Sequence, residues 1–257
     1  IPCMSHGLLA LMLIGSLQNA PVDPGDREGG PQRQRVAVLI EQLGDDDQST
    51  RENATDALIH IGAPALDSLR ESVQSDDAEI RNRARLAIDV ITSIRAKVEF
   101  SRELVGCYPR IYRDLAENDN KRRYLVFREI TRWNRAEKEP LHAVQDRDVA
   151  QVVAIIAGDG YEGLGIEEKV LIATICSGGL ENIVARGGDV FWARRIQSVA
   201  PFIAVLLKDS NHFVRRTAIY ALLKMDARLY KGNIAELLED SDPYVRSTAA
   251  RALGEMK

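Results

Sequence analysis

The chain has 257 residues, 45% hydrophobic and 28% charged, which gives it enough apolar material for a buried core and excludes a disordered or fibrous class. Aromatics supply only 5% of residues while Ala, Leu, Ile and Val abound, a balance suited to helices packed through small side chains and not to an aromatic-rich β-sandwich; the expected class is all-α. A formal net charge of −4 excludes general attraction to nucleic acid or anionic lipid, so any polyanion contact must be local.

The beginning differs in kind from the rest. Residues 8–17, "LLALMLIGSL", form an uncharged apolar run, and "QNAPVDPGDREGGP" follows with Pro and Gly crowding a polar stretch. This pattern predicts a signal peptide over residues 1–20 and a flexible linker over 21–32, and hence export to the periplasm or beyond the cell. Ten apolar residues are too few to cross a bilayer as a helix, so no membrane span is expected. The alternative is an apolar helix docked on the first folded unit of a cytoplasmic protein; "IPCMSH", ahead of the run, has no Lys or Arg. Cys3 falls in the leader, and Cys107 and Cys176 have no metal-like spacing, so both are expected as small buried hydrophobes.

Residues 33–105 read as two helical hairpins. "VAVLIEQL" precedes "LGDDDQSTRENATDALIHI", and "PALDSLRESV" precedes "VQSDDAEIRNRARLAIDVI". Counting from Arg51 and Arg81, which lie thirty residues apart, small or apolar residues recur at +3, +6, +7 and +10, one stripe of a 3.6-residue helix. Ahead of each stripe stand capping candidates, Ser49 three before Glu52 and Asp76 three before Glu79. The second helix of this pair could run on through "TSIRAKVEFSREL" to Gly106.

Residues 106–198 keep helices but lose the template. "PRIYRDLAEND" with "NKRRYLVFREITRW" forms one degenerate hairpin, and "DVAQVVAIIAG" with "IEEKVLIATIC" another. Arg81 and Arg215 are separated by 134 residues, room for about four units at the short period. Eight of the eighteen glycines fall between Gly158 and Gly188. A phosphate-binding loop needs a preceding strand, and none is visible; instead Gly178, Gly179, Gly187 and Gly188 are expected to end helices, with the 158–165 loop protruding from one edge.

From Arg95 to Arg135 there are eleven Lys or Arg against six Asp or Glu, with Tyr108, Tyr112, Tyr124 and Trp133 interleaved. On a continuous helix Tyr124, Arg128, Arg132 and Arg135 share a face. Together with Trp133 they are the candidate partner-binding residues; a solvated face paired with neighbouring acids is the competing reading.

Residues 199–257 repeat themselves most openly. "PFIAVLLK" leads to "LKDSNHFVRRTAIYALLKM", and "NIAELLE" leads to "LEDSDPYVRSTAARALGEM", with Arg215 and Arg246 thirty-one residues apart and Asp242 capping before Pro243. A fixed period of this length marks a solenoid, whose units bury their apolar faces only against one another.

An apolar helix, an Asp in the turn, then "VR" and "AAxALG", resembles the HEAT repeats, in the short form first associated with phycobilisome lyases. The resemblance implies a right-handed α-solenoid of about six helical hairpins. It also implies a hydrogen-bonded ladder between adjacent units, formed here by Asp45, Asp209, Asp240, Arg51, Arg81, Arg215 and Arg246; unit two departs, with Ser75 in the Asp slot and Asp76 beside it.

No catalytic, cofactor or metal constellation is present in the sequence: His6, His60, His142 and His212 are scattered, and the acids at Asp45–Asp47 and Asp76–Asp77 sit where caps are needed. The Asn53 sequon falls within a repeat helix and is read as accidental. The expected function is a noncatalytic, monomeric scaffold that binds a protein partner, without cofactor and without nucleic acid. The alternatives implied by resemblance are a HEAT-like alkylpurine DNA glycosylase using the basic 95–135 region and a bilin-lyase-like accessory protein.

Overall fold

The computed structural model describes residues 30–134, 139–140, 144–158, 160–178, 182–184, 190–192 and 195–256. The leader expectation lies outside them. The fold is an all-α solenoid, and its described residues form six hairpins. The first two pair α1 (Gly30–Gln42) with α2 (Gln48–Ile61), and α3 (Leu66–Ser72) with α4 (Ala78–Val90). After α5 (Arg102–Cys107) come α6 (Ile111–Ala116) with α7 (Asn120–Thr131), and α8 (Asp146–Gly158) with α9 (Ile166–Cys176). The last two pair α10 (Ala200–Val205) with α11 (His212–Lys224), and α12 (Lys231–Glu236) with α13 (Pro243–Glu255). The end of the expected linker joins α1, where Pro31 is tolerated because first-turn amides lack helical partners. Second helices stack directly, α2 on α4, α9 on α11 and α11 on α13. Ala54, Ala84, Ala218 and Ala249, at +3, are all buried in that stack, where only a methyl group lets helices approach closely.

One device builds the turn of four units. The side chain at its first position, Asp45, Ser75, Asp209 or Asp240, accepts the amide N–H two residues on. That second residue, Asp47, Asp77, Asn211 or Asp242, is the helix N-cap. Six residues on, Arg51, Arg81, Arg215 or Arg246 points one Nη1 back to the carbonyls of the first two turn residues, at 2.7 and 2.8, 2.7 and 2.8, 2.9 and 3.0, and 2.8 and 3.1 Å. The caps in the first two units are therefore Asp47 and Asp77, displacing Ser49 and Asp76, because the preceding Asp45 or Ser75 fixes the turn one step earlier. Ser75 serves where Asp was expected, since a hydroxyl oxygen also accepts.

Of the ladder expected between units, these four arginines and their turn acids form one rung, Arg215 with Asp240, while Arg81 and Arg246 bond within their own turns. Arg215 Nε and Nη2 grip Asp240 of the next unit at 2.8 and 2.7 Å. Lys169 of α9 reaches Asp209 at 2.6 Å, and Arg51 lies 3.3 Å from Glu79. Lys169 holds the Arg slot of its own unit: its amide bonds the cap carbonyl of Gly165 as Arg51 bonds that of Asp47, and Ile172, Ile175 and Cys176 at +3, +6 and +7 are buried. Arg123 does the same in α7, through the carbonyl of Asp119.

The middle departs from expectation in four respects. First, α4 does not run on to Gly106. It passes into a π-helical turn at Ile91–Arg95, after which Asp148, at the start of α8, captures the amide and hydroxyl of Ser101 at 2.9 and 2.6 Å. Gln151 bonds both backbone groups of Glu99, so the crossing segment is extended and pinned. Secondly, the 160–165 loop does not protrude. Tyr161, with φ +60, is fully buried and donates its hydroxyl to the carbonyl of Phe202, while Asn120 donates to that of Glu162. Thirdly, strands are present: β1 (Trp133–Asn134) pairs antiparallel with β2 (Glu139–Pro140), and β3 (Asn182–Val184) with β4 (Val190–Trp192), the two ribbons lying side by side. Finally, Cys107 is an exposed free thiol, because α5 ends at the surface; Cys176 is buried. Gly178, at φ +66, follows the end of α9; Gly179, Gly187 and Gly188 lie outside the described residues.

Asp148 is wholly buried and also accepts the amide of Gln145 at 3.0 Å. Bonds to a buried carboxylate are worth about 1.5–3 kcal/mol each, and its removal takes the acceptor from three donors, the amide and hydroxyl of Ser101 and the amide of Gln145. Asp148→Ala should therefore cost at least ~3 kcal/mol of unfolding free energy in urea melts, with Ser101 and Glu99 losing amide protection first. Arg215→Met should cost about 1.5–3 kcal/mol at neutral pH. Asp240 has its carboxyl held below 3.8 chiefly by its bonds to Arg215. The contribution of that pair is present above the unfolded value and disappears as pH falls through the lowered one, so the gap between wild type and Arg215→Met should narrow in acid without closing, because the bonds from Nη1 to the carbonyls of Asp209 and Ser210 do not titrate.

Candidate functional site

The basic region of the sequence divides between two environments. Its first part meets α2 in a buried cluster at the break after unit two. Asp56 and His60 sit one turn apart on α2, facing Tyr112 and Arg113 of α6. Arg113 Nη2 lies 3.5 Å from Asp56 Oδ2, and Oδ1 has no hydrogen-bond partner. Burial pushes the Asp56 carboxyl up to about 6, with Arg113 opposing. Burial, assisted by Arg95, lowers His60 to about 4. Arg95 stacks over the Tyr112 ring at 5.3 Å, and the Tyr112 hydroxyl accepts the amide of Phe100.

The second part forms a surface groove. Cys107, Tyr108 and Arg110, at the end of α5 and in the turn after it, face Leu125, Arg128 and Glu129 of α7 across a space of about 490 Å³. Tyr108 is fixed by its hydroxyl bond to Asp114 at 2.8 Å, and burial followed by that bond raises its phenol well above the ordinary value. Leu125 is 55% exposed, an apolar floor between two guanidinium groups.

Of the five candidate partner-binding residues, Tyr124 and Arg128 share a face of α7, Tyr124 stacking on Phe127. The helix ends at Thr131, so the single face expected to continue through Arg132 does not: Arg132 is the exposed C-cap in extended conformation, 3.9 Å from Glu129. The chain leaves the helix through Arg132 straight into a short strand, and Trp133 lies in β1. The side chain of Trp133 and the whole of Arg135 are outside the described residues. The sequence reading missed Arg110 and Leu125; the signal that could have found Leu125 is its place at +2 from Arg123, off the buried stripe. Among the described residues, no three His, Cys, Asp or Glu side chains gather as metal ligands, and no helix is long and apolar enough to cross a membrane.

Between pH 4 and 6 the folded protein holds a proton on Asp56 that the unfolded chain releases, so this residue loses stability as pH rises. His60 has the opposite sign: the unfolded chain binds the proton more tightly, and stability rises with pH between 4 and 6.5. The two effects offset each other in wild type. Asp56→Asn should therefore gain on wild type as pH rises from 4 to 6, and His60→Asn should lose ground, each by on the order of 3 kcal/mol across the window. Urea melts at stepped pH read both; curves parallel to wild type would contradict the assignment.

The family model for HEAT repeats matches residues 10–89 and 199–257, stretches that contain the regular units described above and, at 10–29, residues of the expected leader and linker. No curated protein matches the chain significantly.

Proposed function

Because the chain belongs to the HEAT-repeat family, whose repeats generally mediate protein interactions and are typically noncatalytic, we propose that it is a noncatalytic scaffold that binds a protein partner through the groove between residues 107–110 and α7. The groove carries this reading: Arg110 and Arg128 flank the exposed Leu125, a pairing of arginine with apolar surface that suits protein contacts. Arg132, the exposed C-cap of α7, extends the proposed surface toward β1; Trp133 and Arg135 stay candidates on the sequence pattern alone. Export is part of the same proposal and rests on the apolar run at 8–17 and the Pro- and Gly-rich stretch after it.

The test is a crosslinking capture with a C-terminally tagged full chain in its native host, wild type against Arg128→Glu/Arg132→Glu, identifying protein and nucleic acid. One protein enriched by wild type and reduced at least tenfold by the double variant, with helical content unchanged, is the expected result. Recovered nucleic acid, or the same partner captured equally by both chains, would overturn the proposal.

A further inference from the structure

The second helices of the last two units expose a face that the stack does not use. On α11, Phe213, Arg216 and Tyr220 follow one another at spacings of three and four; on α13, Tyr244 and Arg251 stand in the slots of Phe213 and Tyr220 one unit later. The two rows interlock. Arg216 stacks over the Tyr244 ring at 5.5 Å and Arg251 over the Tyr220 ring at 4.9 Å, with Arg251 also donating to the Tyr220 hydroxyl.

Holding α11 to α13 does not explain the whole arrangement. Tyr244 remains 65% exposed and Phe213 49%, whereas the buried stripe between these helices is already filled by Ala218, Ile219, Ala249 and Ala252. Arg216 has no carboxylate partner among the described residues, and its Nε is buried without a hydrogen bond. This guanidinium is held in place by an aromatic ring and is not neutralised, in a chain whose acids outnumber its bases by 38 to 34.

We propose that this face binds an acidic segment of a partner protein, with a carboxylate on Arg216 and apolar side chains against Phe213 and Tyr244. The assignment rests on the protein-binding reading above and adds a second contact surface with a defined partner chemistry. A fixed planar guanidinium takes a carboxylate with two parallel bonds, and exposed Tyr, Phe and Arg are the residue types that dominate interface energies. The border decides between a carboxylate and a polyphosphate. Asp242, 3.9 Å from His212, and Glu255, 3.9 Å from Arg251, flank the face and would repel a continuous phosphate backbone while leaving room for isolated carboxylates.

The probe is a short fluorescent peptide alternating aspartate with leucine, titrated into the full chain by anisotropy, beside its asparagine counterpart and a single-stranded oligothymidylate of equal charge. The aspartate peptide should bind saturably. Arg216→Gln, Tyr244→Ala and the asparagine peptide should each weaken binding about tenfold or more, and Arg70→Gln, an exposed change on α3 outside both surfaces, should leave it unchanged. Equal binding by wild type and Arg216→Gln, absence of saturation, or tighter binding of oligothymidylate would each overturn the proposal. Loss of peptide binding in Arg128→Glu but not in Arg216→Gln would overturn it while leaving the groove reading intact; failure of the groove reading shows separately, in the crosslinking capture.

Discussion

The solenoid depends on how the carbonyls of each hairpin turn are satisfied. Two carbonyls in the turn before each second helix point where no helical amide can reach them, and an unpaired backbone acceptor is costly once a neighbouring unit covers it. A single Nη1 of Arg51, Arg81, Arg215 or Arg246 serves both. A guanidinium has further donors in the same plane, so the group that closes its own turn still has an edge to offer the next unit, as Arg215 offers Asp240. Lysine cannot divide itself in this way. Where Lys169 takes the slot, its ammonium goes to Asp209, and the turn ahead of it is built on glycine instead, with Gly163 at φ +75 and Gly165 as N-cap.

The same logic locates the discontinuity. After α4, Arg81 closes its own turn but meets no carboxylate from a following unit among the described residues, and the helix runs into the π-helical turn at Ile91–Arg95. The chain crosses in extended form, and its backbone must be satisfied by side chains: Asp148 and Gln151 do so at Ser101 and Glu99. The join covers side chains at positions that the last two units leave nearer the surface, as at Tyr220, Arg251, Lys224 and Glu255. Asp56, at +5 from Arg51, faces Arg113, and His60 sits beside Tyr112. Their opposed titrations follow from burial at a junction between two packing patterns.

How much of this was legible in the sequence depends on whether the signal was periodic. Arg51, Arg81, Arg215 and Arg246 stand at intervals of thirty or thirty-one residues in phase with buried alanines, and two helical periods in register leave few alternatives. The central units obey the same rule at Arg123 and Lys169, but the intervals stretch to 42 and 46 residues because a crossing segment and two ribbons are inserted, and one of the two cations is a lysine. Tyr161 shows a different limit. Its loop carries the glycines of a mobile connection, yet one aromatic ring at positive φ buries it, and only the position of Phe202, 41 residues away, explains why. Tyr124 and Arg128 were legible as a shared face for as long as the helix lasts; the end of α7 was not, because "ITRW" suits a helix terminus and a strand equally well.

Both exposed surfaces stand in the same register relative to the ladder. Tyr124 and Arg128 are at +1 and +5 from Arg123, and Arg216 and Tyr220 are at +1 and +5 from Arg215. Stacking claims +3, +6 and +7 of each second helix for the core, and the ladder claims the cation itself. In the units of Arg123 and Arg215 the flank at +1 and +5 is not needed for the turn and accepts large planar side chains at little cost to the stack; in the first unit the junction buries it, at Asp56. Arginine and tyrosine are suited to that flank because their long or flat surfaces lie along the neighbouring helix while their polar ends remain in solvent. A repeat protein that keeps its scaffold fixed by three constraints per helix thus leaves one strip on which recognition can vary, and the two arginine- and tyrosine-bearing stretches of this chain both lie on it.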